Sequence, residues 1–438
     1  MTPLTDCRHF RTAEPCRPHK RSGVRCTGCA EYDPTAERIL VVKLGALGDV
    51  LRTTSCLAPL RARYPRAHVT WVTRPDARPL LAGNPTVDRV LTTDGGYLEL
   101  LLAEEFDLAI GPDADVLSAS ITRLARARQQ VGFVADGRGG VRPIGEAALA
   151  WWRMGTDDGL KRGNRRSYGE WLYDICGLSG PVASPVLAVS AAAQIRAAAL
   201  LDERAGDARR RVCVNTGASA RWRDKRWTFA HYQEFARLVH DEDPESALVL
   251  VGGPAEAAFN HALLASGAPF VDGGTDGSVE DLGALMAACD WVLTPDSLGY
   301  HVACAVGAPA VCLVGPTAPW ELDRYDRNLV LHSDLPCIAC YRAECPLPRS
   351  CMDALKPAAA WAHIRRWQAF HAVAPATASR LDAISVATGP VPPTSAAAPT
   401  GCHPARLASP PIRRPRVLPL LPLLPQLPAH GRVAPGAP

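Results

Sequence analysis

Short apolar runs of strand length recur along this chain, and each is followed by a stretch with apolar residues at helical spacing. The first run is Arg-Ile-Leu-Val-Val-Lys at residues 38–43, and the helical stretch at residues 48–64 stops before Pro65. A continuous apolar run indicates a strand that is covered on both faces, as strands of parallel sheets are. The alternation therefore predicts an open α/β fold.

The other predicted strands form two series, which lie at residues 68–73, 89–91, 106–110 and 130–134 and at residues 211–215, 247–251, 270–271, 290–294 and 309–314. With 438 residues the chain is long enough for two domains, because a domain typically contains about 100–200 residues. We therefore predict α/β domains at residues 37–190 and 191–374, connected by the Ala-rich stretch at residues 178–207.

The two ends of the chain differ in composition from these domains. Residues 1–36 form a leader in which cysteines and histidines alternate with basic residues, and residues 375–438 are rich in Pro and Ala. Pro-rich composition without apolar periodicity predicts a disordered tail. Its Leu-Pro repeat also fits a partner ligand, but the composition favours a solvated segment.

Composition and charge predict a cytoplasmic protein that does not bind nucleic acid. The formal net charge is only +4 and the arginines are scattered, whereas nucleic-acid binding requires a basic patch. No run of about 18 apolar residues occurs, and the first 20 residues do not resemble a signal peptide. The 15 cysteines are then expected to be reduced thiols or metal ligands.

The leader has the cysteine spacing of a metal site. Cys16 is followed by His19, and Cys26 is followed by Cys29, with Cys7 further upstream. Structural zinc at the four cysteines is one interpretation, and free thiols are the other. A second group fits either a structural role or a metal-thiolate centre and comprises Cys337, Cys340, Cys345 and Cys351.

The loop after the first strand, Lys43-Leu-Gly-Ala-Leu-Gly-Asp49, lies where open α/β sheets bind ligands. It contains neither the G-x-G-x-x-G fingerprint of dinucleotide-binding proteins nor a Walker sequence. Asp49 has two interpretations, a cap of the following helix or a group that takes part in chemistry. The local pattern alone favours the cap.

A basic loop follows the first strand of the second series. It contains Gly217, Ser219 and Lys225, whose backbone amides and ammonium group suit a diphosphate. A solvated basic loop is the alternative interpretation.

Two later loops also combine glycines with polar groups. Glu256 follows a Gly-Gly-Pro sequence and is either a partner for ribose hydroxyls or the first residue of a helix. Asp296, Ser297 and Gly299 precede a predicted helix whose N-terminal amides suit a phosphate. His301 is interpreted as a core histidine.

In this order and on these elements, the four loops resemble those of glycosyltransferase family 9, the ADP-heptose:lipopolysaccharide heptosyltransferases. The resemblance covers about residues 38–370, and its most telling matches are the Lys43-x-Gly-x-x-Gly-Asp49 opening, the Lys225-x-Trp227 sequence and residues 296–301. It implies two Rossmann-like domains that face each other across a cleft, the GT-B fold. It also implies inversion at the anomeric carbon without a metal cofactor.

Carried over residue by residue, the resemblance implies that Asp49 is the catalytic base, Lys225 binds the diphosphate, Glu256 contacts the ribose and Asp296 holds the donor sugar or phosphate. The further residues it implies are Gly217, Ser219, Ser297 and Gly299 for the donor and Lys43 and Gly45 for the acceptor. One departure is that the family commonly reads Asp-[Ser/Thr]-Gly-x-x-His, whereas the glycine of this chain is one position later. The shift alters how closely a phosphate approaches the backbone.

The predicted activity is inverting transfer of heptose, or a similar sugar, from a nucleotide diphosphate donor to a lipopolysaccharide core or related surface glycan. By resemblance the donor is ADP-heptose, and a glycolipid acceptor would bring the protein to the cytoplasmic face of the inner membrane. No cofactor is expected for catalysis. Two other classes stay open, a nucleotide-sugar epimerase of the same architecture and a non-catalytic nucleotide-sugar-binding protein.

Overall fold

The computed structural model describes residues 2–11, 13–218, 222–373 and 384–386. Its first sheet consists of β1 (Arg38–Val42), β2 (His68–Thr73), β3 (Arg89–Thr92), β4 (Glu105–Gly111), β5 (Arg126–Ala135) and β6 (Val141–Ile144). The strand order is β3-β2-β1-β4-β5-β6, and every pair is parallel except β5 with β6. The first five strands confirm the prediction, whereas β6 has no apolar run by which to recognise it.

The helices of this half and of the leader are α1 (Arg17–Ser22), α2 (Leu47–Thr53), α3 (Leu57–Arg63), α4 (Arg78–Leu81), α5 (Tyr97–Ala103), α6 (Val116–Leu124), α7 (Gly145–Thr156), α8 (Asp158–Gly163) and α9 (Tyr168–Cys176). The helix predicted at residues 48–64 is divided, because a 3₁₀ turn at Thr54–Cys56 separates α2 from α3. The predicted stop before Pro65 is confirmed.

The second sheet consists of β7 (Arg210–Asn215), β8 (Ser246–Val251), β9 (Phe270–Asp272), β10 (Trp291–Pro295), β11 (Ala310–Val314), β12 (Leu329–Ser333) and β13 (Ile384–Val386). Its order is β13-β12-β11-β10-β7-β8-β9, and all pairs are parallel. The helices around it are α10 (Ala191–Ala205), α11 (Phe229–Glu242), α12 (Ala257–Ala265), α13 (Val279–Ala287), α14 (Leu298–Ala305), α15 (Cys351–Ala354) and α16 (Pro357–Val373). Two mostly parallel sheets confirm the predicted α/β fold.

Two strands of this sheet were not predicted. β12 extends the sheet beyond the last predicted strand, and β13 lies in the segment for which composition predicts disorder. Composition does not reveal that the edge of β12 offers unpaired backbone groups to a short parallel strand. The rest of the predicted tail lies outside the described residues.

Both sheets belong to one compact unit of the described residues. One apolar cluster extends from Val50 and Leu51 on α2 to Tyr300 and Val302 on α14. The boundaries at residues 37, 190 and 374 remain predictions. Among the described helices, none combines the length and the apolar composition needed to span a bilayer.

The contact between α2 and α14 brings the two halves together at one point. A Cβ atom added at Gly48 would lie 2.7 Å from Cδ2 of His301 and 3.6 Å from Cα of Leu298. The absence of a side chain at residue 48 therefore allows the loop after β1 to approach the start of α14. The loops after β1 and β10 consequently face the same gap.

Candidate active site

Asp49 lies in the first turn of α2, next to the gap between the halves. It does not cap this helix, since the N-cap residue is Ala46 and no side chain accepts a hydrogen bond there. Instead, its Oδ1 lies 2.7 Å from an Nη atom of Arg52, and 36% of its side chain is exposed. The carboxylate is held by an ion pair and stays partly accessible.

Charges from both halves surround the Asp49 carboxylate. Burial raises its pKa, but the positive charges, chiefly those of Arg52 and Lys43, outweigh that effect and hold the pKa below the ordinary value. Asp49 is thus ionised at neutral pH, which is the form that accepts a proton. These surroundings suit a general base.

Lys43 and Gly45, which the resemblance assigns to the acceptor, are engaged by Asp113. The Lys43 ammonium group pairs with Asp113, whose Oδ2 accepts the backbone N–H groups of Leu44 and Gly45 at 3.1 and 3.0 Å. Burial lowers the pKa of Lys43, but the carboxylate of Asp113 reverses this and raises it. An acceptor contact by Lys43 or Gly45 remains a prediction.

Asp113 was missed in the sequence, although its position contained a usable signal. It follows β4, which pairs in parallel with β1. The carboxyl ends of neighbouring parallel strands meet at one edge of a sheet. The side chain of Asp113 is therefore expected to lie near the loop after β1.

Lys225 and Asp296, which were predicted separately, lie together in the second half. Nζ of Lys225 is 2.8 Å from Oδ2 of Asp296, and the Thr317 hydroxyl donates to the same oxygen at 2.6 Å. Burial raises the pKa of Asp296, but the ammonium group of Lys225 and these hydrogen bonds lower it far below its usual value. Trp227 is buried and donates to the Leu355 carbonyl at 2.8 Å, which anchors the Lys225 loop.

The glycines of the two loops that are predicted to bind phosphate contact Asn215. A Cβ atom at Gly299 would lie 2.2 Å from the Asn215 amide nitrogen, and the Gly217 N–H donates to the Asn215 amide oxygen at 3.2 Å. Ser297 is the N-cap of α14 and accepts from the Gly299 N–H at 3.3 Å. Gly299 is therefore required for internal packing, whatever its role toward a donor. Ser219 lies outside the described residues.

Glu256 is buried at the end of the 3₁₀ turn Pro254–Glu256, and its carboxylate accepts the Gly253 N–H at 3.0 Å. Its contact with a ribose remains a prediction. Near this loop, a cavity of about 410 Å³ adjoins the carboxyl ends of β8 and β9. Gly252, Gly273 and Gly274 line it together with residues of α10 and α13.

His301 is buried as predicted, but its position is not that of a core histidine. It lies at the contact between the halves, where Asp49, Asp296 and Arg52 face it. Burial and the charge of Arg52 lower the pKa of its imidazole to about 4. His301 is consequently neutral at physiological pH.

The cysteines of the leader line one cavity of about 380 Å³ together with His9 and His19. Nδ1 of His19 is already engaged at 2.9 Å from the Val24 carbonyl oxygen. Within the described residues, no three His, Cys, Asp or Glu side chains are placed to hold a metal ion. This geometry does not support the zinc interpretation for Cys7, Cys16, Cys26 and Cys29, nor a metal at Cys337, Cys340, Cys345 and Cys351.

Comparison with known proteins gives the same family at the level of sequence. Residues 98–350 match glycosyltransferase family 9 (heptosyltransferase). The chain is 25% identical over 304 residues to lipopolysaccharide heptosyltransferase 2 of Salmonella typhimurium, covering 64% of this chain and 84% of that protein. It is 25% identical over 340 residues to lipopolysaccharide heptosyltransferase 1 of Pseudomonas aeruginosa, covering 70% and 87%.

Comparison of structures supports the fold. The E. coli ADP-heptose lipopolysaccharide heptosyltransferase II is similar with a TM-score of 0.59 at 20% identity, covering 77% of this chain and 100% of that chain. The two Rossmann-like sheets are therefore those of a GT-B fold. The matched residues 98–350 make up more than half of the chain and include the pair of Lys225 and Asp296. The protein is a glycosyltransferase, and it belongs to glycosyltransferase family 9, the heptosyltransferase family.

Proposed function

We propose that this chain is an inverting glycosyltransferase that transfers heptose, or a sugar of similar shape, from ADP-heptose to a lipopolysaccharide core or related surface glycan. The names of the matched relatives support both the donor and the acceptor class. The observation that carries the proposal is the position of Asp49. Its partly exposed carboxylate is next to the same gap that the pair of Lys225 and Asp296 approaches from the other half.

In the proposed reaction Asp49 takes the proton from the attacking hydroxyl group of the acceptor. The acceptor oxygen then forms a bond to the anomeric carbon on the face opposite the diphosphate. The bond from that carbon to the diphosphate oxygen breaks, and its electron pair leaves with the diphosphate. General-base catalysis of this kind contributes about 10²–10⁴ in rate.

The departing diphosphate needs positive charge beside it. Lys225 would supply an ammonium group, and Asp296 with Thr317 holds that group in place. The N-terminal amides of α14 would add the partial positive charge of a helix start. A donor oxygen then competes with Asp296 for Lys225, so donor binding and this ion pair are coupled.

The nucleoside of the donor would occupy the cavity at the carboxyl ends of β8 and β9. This is the edge of an open parallel sheet at which nucleotides bind. The glycines at residues 252, 273 and 274 leave the backbone accessible there. Glu256, which already binds the backbone N–H of Gly253, would turn toward the ribose hydroxyls.

The location of the protein follows from its proposed acceptor. A lipopolysaccharide precursor has its lipid part in the inner membrane, and the nucleotide sugar is a cytoplasmic compound. We therefore infer a cytoplasmic protein that contacts the membrane peripherally through its acceptor.

Thermal stability in the presence of candidate donors tests the donor assignment. A ligand that binds only the folded protein stabilises it by about 2.7 kcal/mol at a hundredfold excess over its Kd. We expect ADP-heptose to raise the melting temperature more than ADP-glucose, UDP-glucose or GDP-mannose at equal concentration. A larger shift with a uridine or guanosine sugar would contradict the proposed donor.

Measurement of turnover tests whether Asp49 is the catalytic base. With ADP-heptose and lipopolysaccharide core extracted from a heptose-deficient strain, Asp49→Asn is expected to lower ADP release about 10²–10⁴-fold and to leave the melting shift by ADP-heptose unchanged. NMR of the product should show an anomeric configuration opposite to that of the donor. Retained configuration, or turnover within threefold of the wild type, would refute the proposal.

A further inference from the structure

Arg52 contacts the Asp49 carboxylate directly and lies one helical turn after it on α2. The closest atoms of this ion pair are Oδ1 of Asp49 and an Nη atom of Arg52, 2.7 Å apart. The Arg52 side chain is 17% exposed, so water competes little for the guanidinium group.

The guanidinium group of Arg52 is itself fixed by Tyr168 at the start of α9. Its central carbon lies 3.7 Å from the centre of the Tyr168 ring, which is the geometry of a cation–π contact. Tyr168 is only 5% exposed. Stacking on a buried ring restricts the guanidinium group to one plane.

Hydrogen bonds connect Tyr168 through Thr53 to the backbone of Asp49. The Thr53 hydroxyl donates to the Asp49 backbone carbonyl at 2.6 Å. Because that bond uses the only proton of Thr53, the Tyr168 hydroxyl donates to Thr53 Oγ1 at 2.7 Å. Asp49, Arg52, Tyr168 and Thr53 thus form a closed ring of contacts between α2 and α9.

We propose that Arg52, stacked on Tyr168, is the positioning residue of the reaction, which holds Oδ1 of Asp49 and presents Oδ2 to the acceptor hydroxyl group. The inference rests on the proposed function, since it requires Asp49 to be the base. It adds a residue to which the sequence motifs assign no role. Arg52 itself would touch neither donor nor acceptor.

Charged and titratable groups from several elements act on Asp49 together with Arg52. The groups that face Asp49 or Arg52 from neighbouring elements are Lys43 on the β1 side, Tyr168 on α9, Asp296 after β10, His301 on α14 and Glu321 after β11. Burial raises the pKa of Asp49, and Arg52 is the largest influence that lowers it. Loss of the Arg52 charge therefore leaves the effect of burial less opposed, and the pKa of Asp49 rises.

The test compares pH profiles of kcat/KM for ADP-heptose with heptose-deficient lipopolysaccharide core as acceptor. An opposite charge at this distance lowers a carboxyl pKa by about 1–3 units. For Arg52→Gln we expect the acid limb to move to higher pH by about 1 unit or more, and kcat at pH 7.5 to fall at least about tenfold. The KM for ADP-heptose should stay within twofold.

Three further variants separate positioning from folding. Arg52→Lys keeps the charge but not the planar group, so it should leave the acid limb in place while lowering kcat. Tyr168→Phe keeps the ring and removes one hydrogen bond, and a smaller fall in kcat is expected. Arg61→Gln is the matched control, because Arg61 also pairs with a carboxylate, Asp88 at 3.2 Å, and its side chain is 20% exposed.

The proposal is overturned if Arg52→Gln shows the wild-type acid limb and a kcat within twofold of the wild type. Should Arg52→Gln not fold, a wild-type kcat in Arg52→Lys overturns it equally. If instead the proposed function itself is wrong, Asp49→Asn remains active, and this result distinguishes the two failures. A shift of the acid limb in Arg61→Gln would also count against a specific role for Arg52.

Discussion

At the residue scale, the buried ammonium group of Lys43 needs a carboxylate partner, and Asp113 supplies it. Lys43 is 3% exposed at the end of β1, where an unpaired ammonium group would be costly. Asp113 compensates its charge and also binds two backbone N–H groups of the loop that leads to Asp49. The position of the loop that leads to Asp49 therefore depends on a carboxylate that follows β4.

Removal of the Asp113 charge should destabilise the fold. Asp113→Asn keeps a hydrogen-bond acceptor for the loop but leaves the buried Lys43 ammonium group without the carboxylate that pairs with it. We expect a loss of about 3–5 kcal/mol in the free energy of unfolding, measured by urea denaturation at pH 7.

The matched control is Glu105→Gln, which breaks the pair of Glu105 and Arg126. Both side chains of that pair are mostly exposed, at 70% and 53%, so a loss below about 1 kcal/mol is expected. Equal losses in the two variants would show that burial does not make the Lys43 pair special.

At the scale of elements, the contact between α2 and α14 depends on the missing side chain at Gly48. A methyl group there would lie 2.7 Å from the His301 ring, closer than carbon atoms pack. The contact joins the helix of the proposed base in one half to the start of α14, the proposed phosphate site, in the other. The distance between α2 and α14 should therefore affect both the stability of the fold and the rate of turnover.

Gly48→Ala should lower the free energy of unfolding by about 1–3 kcal/mol, as overpacked sites do. Adding His301→Ala removes the clashing ring, so the double variant should lose less than the sum of the two single losses. Thermal denaturation of the four proteins measures this coupling. The control is Gly155→Ala in α7, where no neighbouring atom lies within 4 Å of the added carbon. Additive losses would contradict a direct clash.

The leader is the element for which prediction and geometry differ. Its four cysteines line one cavity, but among the described residues no three Cys, His, Asp or Glu side chains are placed to hold a metal ion. If the zinc prediction holds, metal analysis of the purified chain should give about one zinc per chain, and Cys26→Ser with Cys29→Ser should abolish it. A zinc content that is unchanged in this variant, or absent from the wild type, would assign free thiols to the leader.

At the scale of the whole molecule, contacts around α9 and the loop after β11 tie the halves together. Asp323 accepts the Gly169 N–H at 3.0 Å, and Arg327 donates to the Ser184 hydroxyl at 2.8 Å. The apolar cluster that spans α2 and α14 adds to them. We therefore expect a ligand bound in one half to affect the other half.

Hydrogen exchange should reveal this coupling. We expect saturating ADP to slow exchange in α14, which lies near the proposed diphosphate site, and also in α2, which belongs to the other half. The measurement is peptide-level exchange with and without ADP. Protection confined to the elements from β7 to β11 would mean that the halves respond independently.

Much of the architecture could be predicted from local sequence. Ten strands were predicted at or near their observed positions, because buried parallel strands are continuous apolar runs that need no tertiary information. β6 and β13 contain no comparable apolar run and could not be recognised in this way. The run Leu-Val-Leu at the start of β12 was overlooked, although it is longer than the apolar run that predicted β9.

The residues of the site fall into two groups, those that the sequence places and those that only the structure brings together. The order of apolar strands and polar loops by itself determined the fold and placed Asp49, Lys225 and Asp296 at sheet edges where ligands bind. Only the tertiary structure decided which side chains meet: Asp113 with Lys43, Tyr168 with Arg52, and His301 with Gly48. The physical reason is that secondary structure follows from neighbours in sequence, whereas charge pairing and close contact depend on distances that only the packed halves establish.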